Sequence, residues 1–117
     1  MLKWPGRAAV DRALRDWTEL HITTHPELMR LGYFGSYARG DWGVGSDLDI
    51  VAIVDATDEP FERRSFEWDL NALPVPTEML VYTVDEWKTL QSRGKGFVRA
   101  LMVDTVWVYV KSREPMV

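Results

Sequence analysis

The sequence predicts a mixed α/β domain, a small sheet of about four strands with about four helices packed on it. Three observations carry that expectation. Val10, Ala13, Leu14, Trp17 and Leu20 recur at helical spacing, with Asp11, Arg12, Arg15, Asp16 and Glu19 on the other face. The run from Leu48 to Val54 is apolar except at Asp49. Thr83 and Glu86 stand at the spacing of a capping box ahead of a further helix.

Each element has a local reason. Pro5-Gly6 precedes the first helix, and His25-Pro26 ends it, because a residue before proline is pushed out of helical dihedrals. Leu28 to Phe34 reads as a short strand closed by Gly35, and a turn with a short helix follows from Ser36. Leu48 to Val54 is rich in Val and Ile and apolar on both faces after Asp49, which predicts an internal strand. Asp58 is placed to cap a helix from about Pro60 to Leu73, with proline in its first turn and Pro74 and Pro76 stopping it. Glu78 to Thr83 is the third strand. The capping box then opens a helix through Trp87 and Leu90 that stops near Gly94. Phe97 to Met102 form another helical turn or two. Thr105 to Val110 is the last strand, with Val106, Val108 and Val110 opposing Thr105, Trp107 and Tyr109.

The 117 residues fit one domain, 1–117, with a modest core. A content of 46% hydrophobic and 27% charged residues argues against disorder. Six Trp predict core packing or a partner interface. Lys plus Arg number 14 against 18 Asp plus Glu, a net charge of −4, which makes a sequence-independent grip on nucleic acid a poor expectation. Without cysteine, disulfides and thiolate metal sites are excluded. The longest apolar run, Ile50 to Val54, is too short to span a membrane, and Met1 to Arg7 lack a signal-peptide stretch. A cytoplasmic protein is the expectation.

The candidate chemistry lies between Gly35 and Asp49. Glycine allows close backbone approach, and backbone N–H groups with the Ser36 hydroxyl suit phosphate oxygens. Alone, Gly35-Ser36-Tyr37-Ala38-Arg39-Gly40 reads first as a tight turn into a helix, and it lacks the Gly-Lys-Ser/Thr of a Walker loop. Asp47 and Asp49, two positions apart, share one face of a strand. Two such carboxylates repel unless a cation sits between them, and Mg²⁺ takes carboxylate and phosphate oxygens together. Asp49 is the more telling of the two, because it interrupts a run destined for burial. Glu78 opens the next strand and is the candidate third acid, able to ligate metal and accept a proton if that strand lies beside the first. Arg39 is a candidate charge-assisted donor to a triphosphate. Lys95 lies between two glycines, a basic loop or a simple surface turn. His21 and His25 read as an ordinary helix-end residue and a loop residue without metal-ligand companions.

Gly35-Ser36, Gly40 and Ser46-Asp47-Leu48-Asp49 together resemble the signature of the DNA polymerase beta-like nucleotidyltransferase superfamily. The wording Gly-Ser-Tyr-Ala-Arg-Gly and the Thr-Val-Asp-Glu-Trp stretch after Glu78 look like its minimal members, over roughly Leu28 to Val110. The resemblance implies a nucleotidyltransferase fold, with ATP as substrate and Mg²⁺ as cofactor. It places Ser36 at the triphosphate, Asp47 and Asp49 as metal ligands and Glu78 in the third-acid position of the catalytic set; Gly35, Arg39 and Ser46 are the further candidates for nucleotide binding. Many prokaryotic minimal members are antitoxins that adenylylate a tyrosine of a HEPN-domain ribonuclease toxin, so such a toxin is the partner it implies. Glu78 departs from the family pattern, whose third acid is commonly Asp. Two further readings stay open: a transferase acting on a small molecule of the aminoglycoside kind, and an antitoxin that neutralises by binding alone.

Overall fold

The computed structural model describes residues 4–111, so Met1 to Lys3 of the leader reading and the C-terminal residues 112–117 lie outside it. In chain order the elements are α1 (Arg7–His21), β1 (Leu28–Phe34), α2 (Ser36–Arg39), β2 (Leu48–Val54), two 3₁₀ stretches (Phe61–Glu67 and Leu70–Ala72), β3 (Thr77–Thr83), α3 (Val84–Arg93), α4 (Phe97–Asp104) and β4 (Val106–Val110). The strands form one sheet in the order β3-β2-β1-β4. β1 is antiparallel to both of its neighbours, and β2 runs parallel to β3. The apolar strand β2 is therefore internal, as its composition requires, and six of its seven residues are buried.

Alternation along β2 sorts the core. Leu48, Ile50, Ala52 and Val54 pack with Val10, Leu14 and Trp17 of α1. Val51 and Ile53 face the other way, onto Trp87 of α3 and Leu101 of α4. Asp49 shares this second face by parity, which puts it on the α4 side of the sheet. Trp17, Trp68 and Trp87 are all buried, so these tryptophans serve mainly as core.

Two sequence expectations are corrected here. Leu20 is 74% exposed, while Thr18 is buried and donates its hydroxyl to the Leu14 carbonyl at 2.7 Å. The buried face of α1 runs through Val10, Leu14, Trp17 and Thr18, and helical rotation carries Leu20 off its flank. The helix predicted from Pro60 to Leu73 is instead two 3₁₀ stretches, and Asp58 caps neither. The physical reason is Arg64. Its guanidinium turns inward, donating to the carbonyls of Glu59 and Val81 at 2.9 Å each and to Glu86 Oε1 at 2.6 Å. Phe61, Glu62 and Arg63 remain exposed, so no apolar stripe of helical period exists to draw the segment into an α-helix. The capping box at Thr83 and Glu86 forms as the spacing requires.

Gly32 sits where β1 meets β4. A Cβ there would stand 2.6 Å from the Val106 carbonyl oxygen and 2.8 Å from Thr105 Cγ2. One of these contacts is rigid backbone, so Gly32→Ala is expected to destabilise the fold by about 1–3 kcal/mol. A urea melt at fixed pH measures it; an unchanged midpoint would show that β4 can move off without cost.

Candidate active site

Pairing at one end of the sheet brings three predicted segments together. Phe34, the last residue of β1, pairs with Asp49 of β2, and Asp49 pairs with Glu78 of β3. Gly35 follows at once with φ 73°, a conformation that favours glycine. A Cβ on Gly35 would run into the Asp49 carboxylate, so the backbone turn and the acid face each other with no side chain between them. Ser36 opens α2, whose C-cap is Gly40 in the left-handed conformation.

These residues border a cleft of about 410 Å³, lined by Phe34, Gly35, Ser36, Arg39, Asp47 and Asp49 from this edge and by Phe97, Ala100 and Asp104 of α4. Asp47 precedes β2 by one residue and is exposed, yet it faces the same cleft as Asp49. Glu78 lies beside Asp49 in register, but it does not line the cleft. Among the described residues, Asp47, Asp49 and Glu78 do not bring one oxygen each within 4.8 Å of one another. Ser46 also stays out of the cleft lining. Its hydroxyl accepts from the Gly43 N–H at 2.8 Å and closes the turn that delivers Asp47. Arg39 reaches the cleft edge while its Nε donates to Asp41 at 3.2 Å. Lys95 is exposed and is not among the lining residues.

The electrostatics centre on Asp49. Burial first, then the charges of Glu78 and Asp47, push its carboxyl above the ordinary aspartate range, and Arg39 opposes them. Asp47 and Asp49 face the cleft together, Glu78 adds its charge from beside Asp49, and Arg39 is the one guanidinium in the lining. Such an oxygen-rich, anionic set fits a hard divalent cation better than a soft one.

Sequence reasoning missed the far wall. Phe97, Ala100 and Asp104 come from α4, roughly sixty to seventy residues beyond Gly35. Phe97 is 56% exposed and meets Phe34 edge-on at 5.9 Å. No local signal marks these residues, because only the packing of α4 beside β1 and β2 brings them to the acids. His25 is a second omission. Glu27 and Glu67 lie close to it, so it does have acidic companions. Glu67 is distant in sequence and arrives with the 3₁₀ segment.

A glycine–serine turn facing an acid pair, at one end of a mixed sheet, has the parts of a phosphate-handling α/β transferase. The chain belongs to the nucleotidyltransferase domain family, whose model matches residues 24–108. Among solved structures it is similar to a candidate nucleotidyltransferase from Sulfolobus solfataricus, at 19% identity and TM-score 0.65, over 90% of this chain and 84% of that one. It is also similar to a chain of a toxin–antitoxin crystallised with AMP-PNP, at 16% identity and TM-score 0.53, over 83% and 73% of the two chains. A third likeness is to the MntA–HpeT toxin–antitoxin, in a variant with two aspartates changed to glutamate, at 13% identity and TM-score 0.50. These likenesses establish the shared fold. None of the curated proteins matches the chain.

Proposed function

We propose that this chain is an antitoxin-type nucleotidyltransferase that transfers AMP from ATP to a hydroxyl of a partner protein, most simply a tyrosine of a HEPN ribonuclease toxin. The observation that carries this reading is the direct apposition of the Gly35 backbone and the Asp49 carboxylate in one cleft with Asp47. Phosphate-binding backbone and metal-binding acid must lie this close for one ion to meet both protein and triphosphate. Two of the structural relatives are toxin–antitoxin proteins, one of them crystallised with an ATP analogue. In the other, the two replaced aspartates are two positions apart, the spacing of Asp47 and Asp49 here.

In this reading the backbone N–H groups after Gly35 and the Ser36 hydroxyl hold the triphosphate, and Arg39 adds a positive charge at the cleft edge. Asp47 and Asp49 would hold Mg²⁺, with Glu78 as the third acid. Held there, the ion would supply charge neutralisation at the phosphoryl group and orientation of the leaving pyrophosphate. To accept the proton of the attacking hydroxyl, Glu78 would have to reach into the cleft from its place beside Asp49. Asp104 and Phe97, on the far wall, offer an acceptor and an aromatic face to the nucleoside.

Incubation with α-labelled ATP, Mg²⁺ and a HEPN partner tests the proposal. Label is expected on a partner tyrosine. If no protein takes label while binding still silences the ribonuclease, the chain neutralises by contact alone. The separation of Glu78 from the cleft is the observation that favours that second reading.

A further inference from the structure

At the end of the sheet opposite the cleft, His25, Glu27 and Glu67 each bring one ligand atom within 4.8 Å of the others. His25 lies in the turn after α1, Glu27 just before β1, and Glu67 at the end of the first 3₁₀ stretch. All seven residues of β1 separate this group from Gly35, about 23 Å of extended chain. The His25 side chain is only 12% exposed. Its ring stacks on Trp68 with centroids 3.8 Å apart and planes 13° apart, so its orientation is set by packing.

Both ring nitrogens meet acceptors. Nδ1 lies 3.0 Å from Glu27 Oε2, and Nε2 lies 3.2 Å from the Glu67 carbonyl oxygen. A neutral imidazole carries one N–H, so one of these contacts would set lone pair against lone pair. A cation on that nitrogen removes the conflict, and the two carboxylates already supply its counter-charge.

We propose that His25, Glu27 and Glu67 form a site for a borderline divalent ion of the zinc class, separate from the acids of the cleft. An imidazole nitrogen with two carboxylates suits Zn²⁺ and is a poor set for Mg²⁺. Coordination through Nδ1 leaves the Nε2 hydrogen to donate to the Glu67 carbonyl, the outer bond that commonly orients a ligating histidine. The 3.0 Å between Nδ1 and Glu27 Oε2 is close to the ligand–ligand edge of about 3.3 Å around a tetrahedral zinc ion.

The test is calorimetric titration of Zn²⁺ into metal-stripped chain carrying Asp47→Asn and Asp49→Asn, so that the cleft acids contribute nothing. One equivalent is expected to bind, undisturbed by excess Mg²⁺. Adding Glu67→Gln or His25→Gln is expected to weaken it at least about tenfold. Glu67 is exposed, so its variant keeps the test valid if loss of the stacked His25 harms folding; a melting curve checks the fold of each. Absence of zinc uptake, or uptake unchanged by Glu67→Gln in folded protein, overturns the proposal. In the former case, a nitrogen spectrum showing both His25 nitrogens protonated would identify a proton as the occupant.

Discussion

Replacing Asp49 by asparagine should cost about 10²–10³-fold in nucleotide transfer while raising the melting temperature at neutral pH. The two effects have one cause. Burial and the neighbouring charges of Glu78 and Asp47 raise the carboxyl's pKa in the folded state. A raised folded-state value means that the group's stabilising contribution is present below the ordinary 3.8 and lost as pH rises through the folded value. At neutral pH the ionised Asp49 therefore costs stability, which the neutral amide of the same shape recovers. The gain over wild type should shrink as pH is lowered toward 3.8, where wild-type Asp49 is itself protonating. Transfer assays with labelled ATP, together with melting curves at several pH values, read both effects. Unchanged transfer would remove Asp49 from the machinery. Lost transfer with a lower melting temperature would show structural damage instead. A stability gain paired with lost transfer would be the usual exchange of stability for activity.

The second large effect is on folding. Arg64→Ala is expected to destabilise the domain by about 3 kcal/mol, a fall of roughly 10–20 °C in Tm. Arg64 is 9% exposed and ties three segments: the Glu59 loop, the β3 carbonyl of Val81 and the α3 capping glutamate, Glu86. Removing it leaves two carbonyls and a carboxylate without their shared donor. The carboxylate is half-exposed and can recover water, so the carbonyls carry most of the cost. Glu86 adds a pH dependence. Arg64 first, then the Thr83 backbone, hold its carboxyl below the ordinary 4.5. A depressed folded-state value contributes stability that is present above 4.5 and lost as pH falls through the folded value. Wild type should lose part of its margin over Arg64→Ala in that acid window. Denaturant melts of both proteins at neutral and acid pH measure it; a constant difference would mean that Glu86 plays no part in the clamp.

Much of the molecule was legible before folding was considered. The amphipathic helix, the four strands and the Thr83–Glu86 box depend on side-chain period and on hydrogen bonds within a few residues, which sequence spacing expresses directly. Asp49 was legible for the same reason, since an acid inside an apolar strand conflicts with burial wherever that strand lies. The 3₁₀ segment was misread because its conformation follows from Arg64 reaching β3 and α3, partners 17 and 22 residues away. A proline-led stretch without those partners is indistinguishable from a helix start.

The sequence by itself determined the order of the four strands and the α-helices, the apolar centre of the sheet and the two halves of the glycine–acid segment, since each rests on local period or local chemistry. Tertiary structure alone decided that β3 lies parallel beside β2, that Glu78 stands next to Asp49 but off the cleft lining, and that α4 supplies the opposing wall. It also brought Glu67 to His25. These are contacts between residues far apart in the chain. They follow from how faces of strands and helices are buried against one another, and no spacing along the chain encodes that.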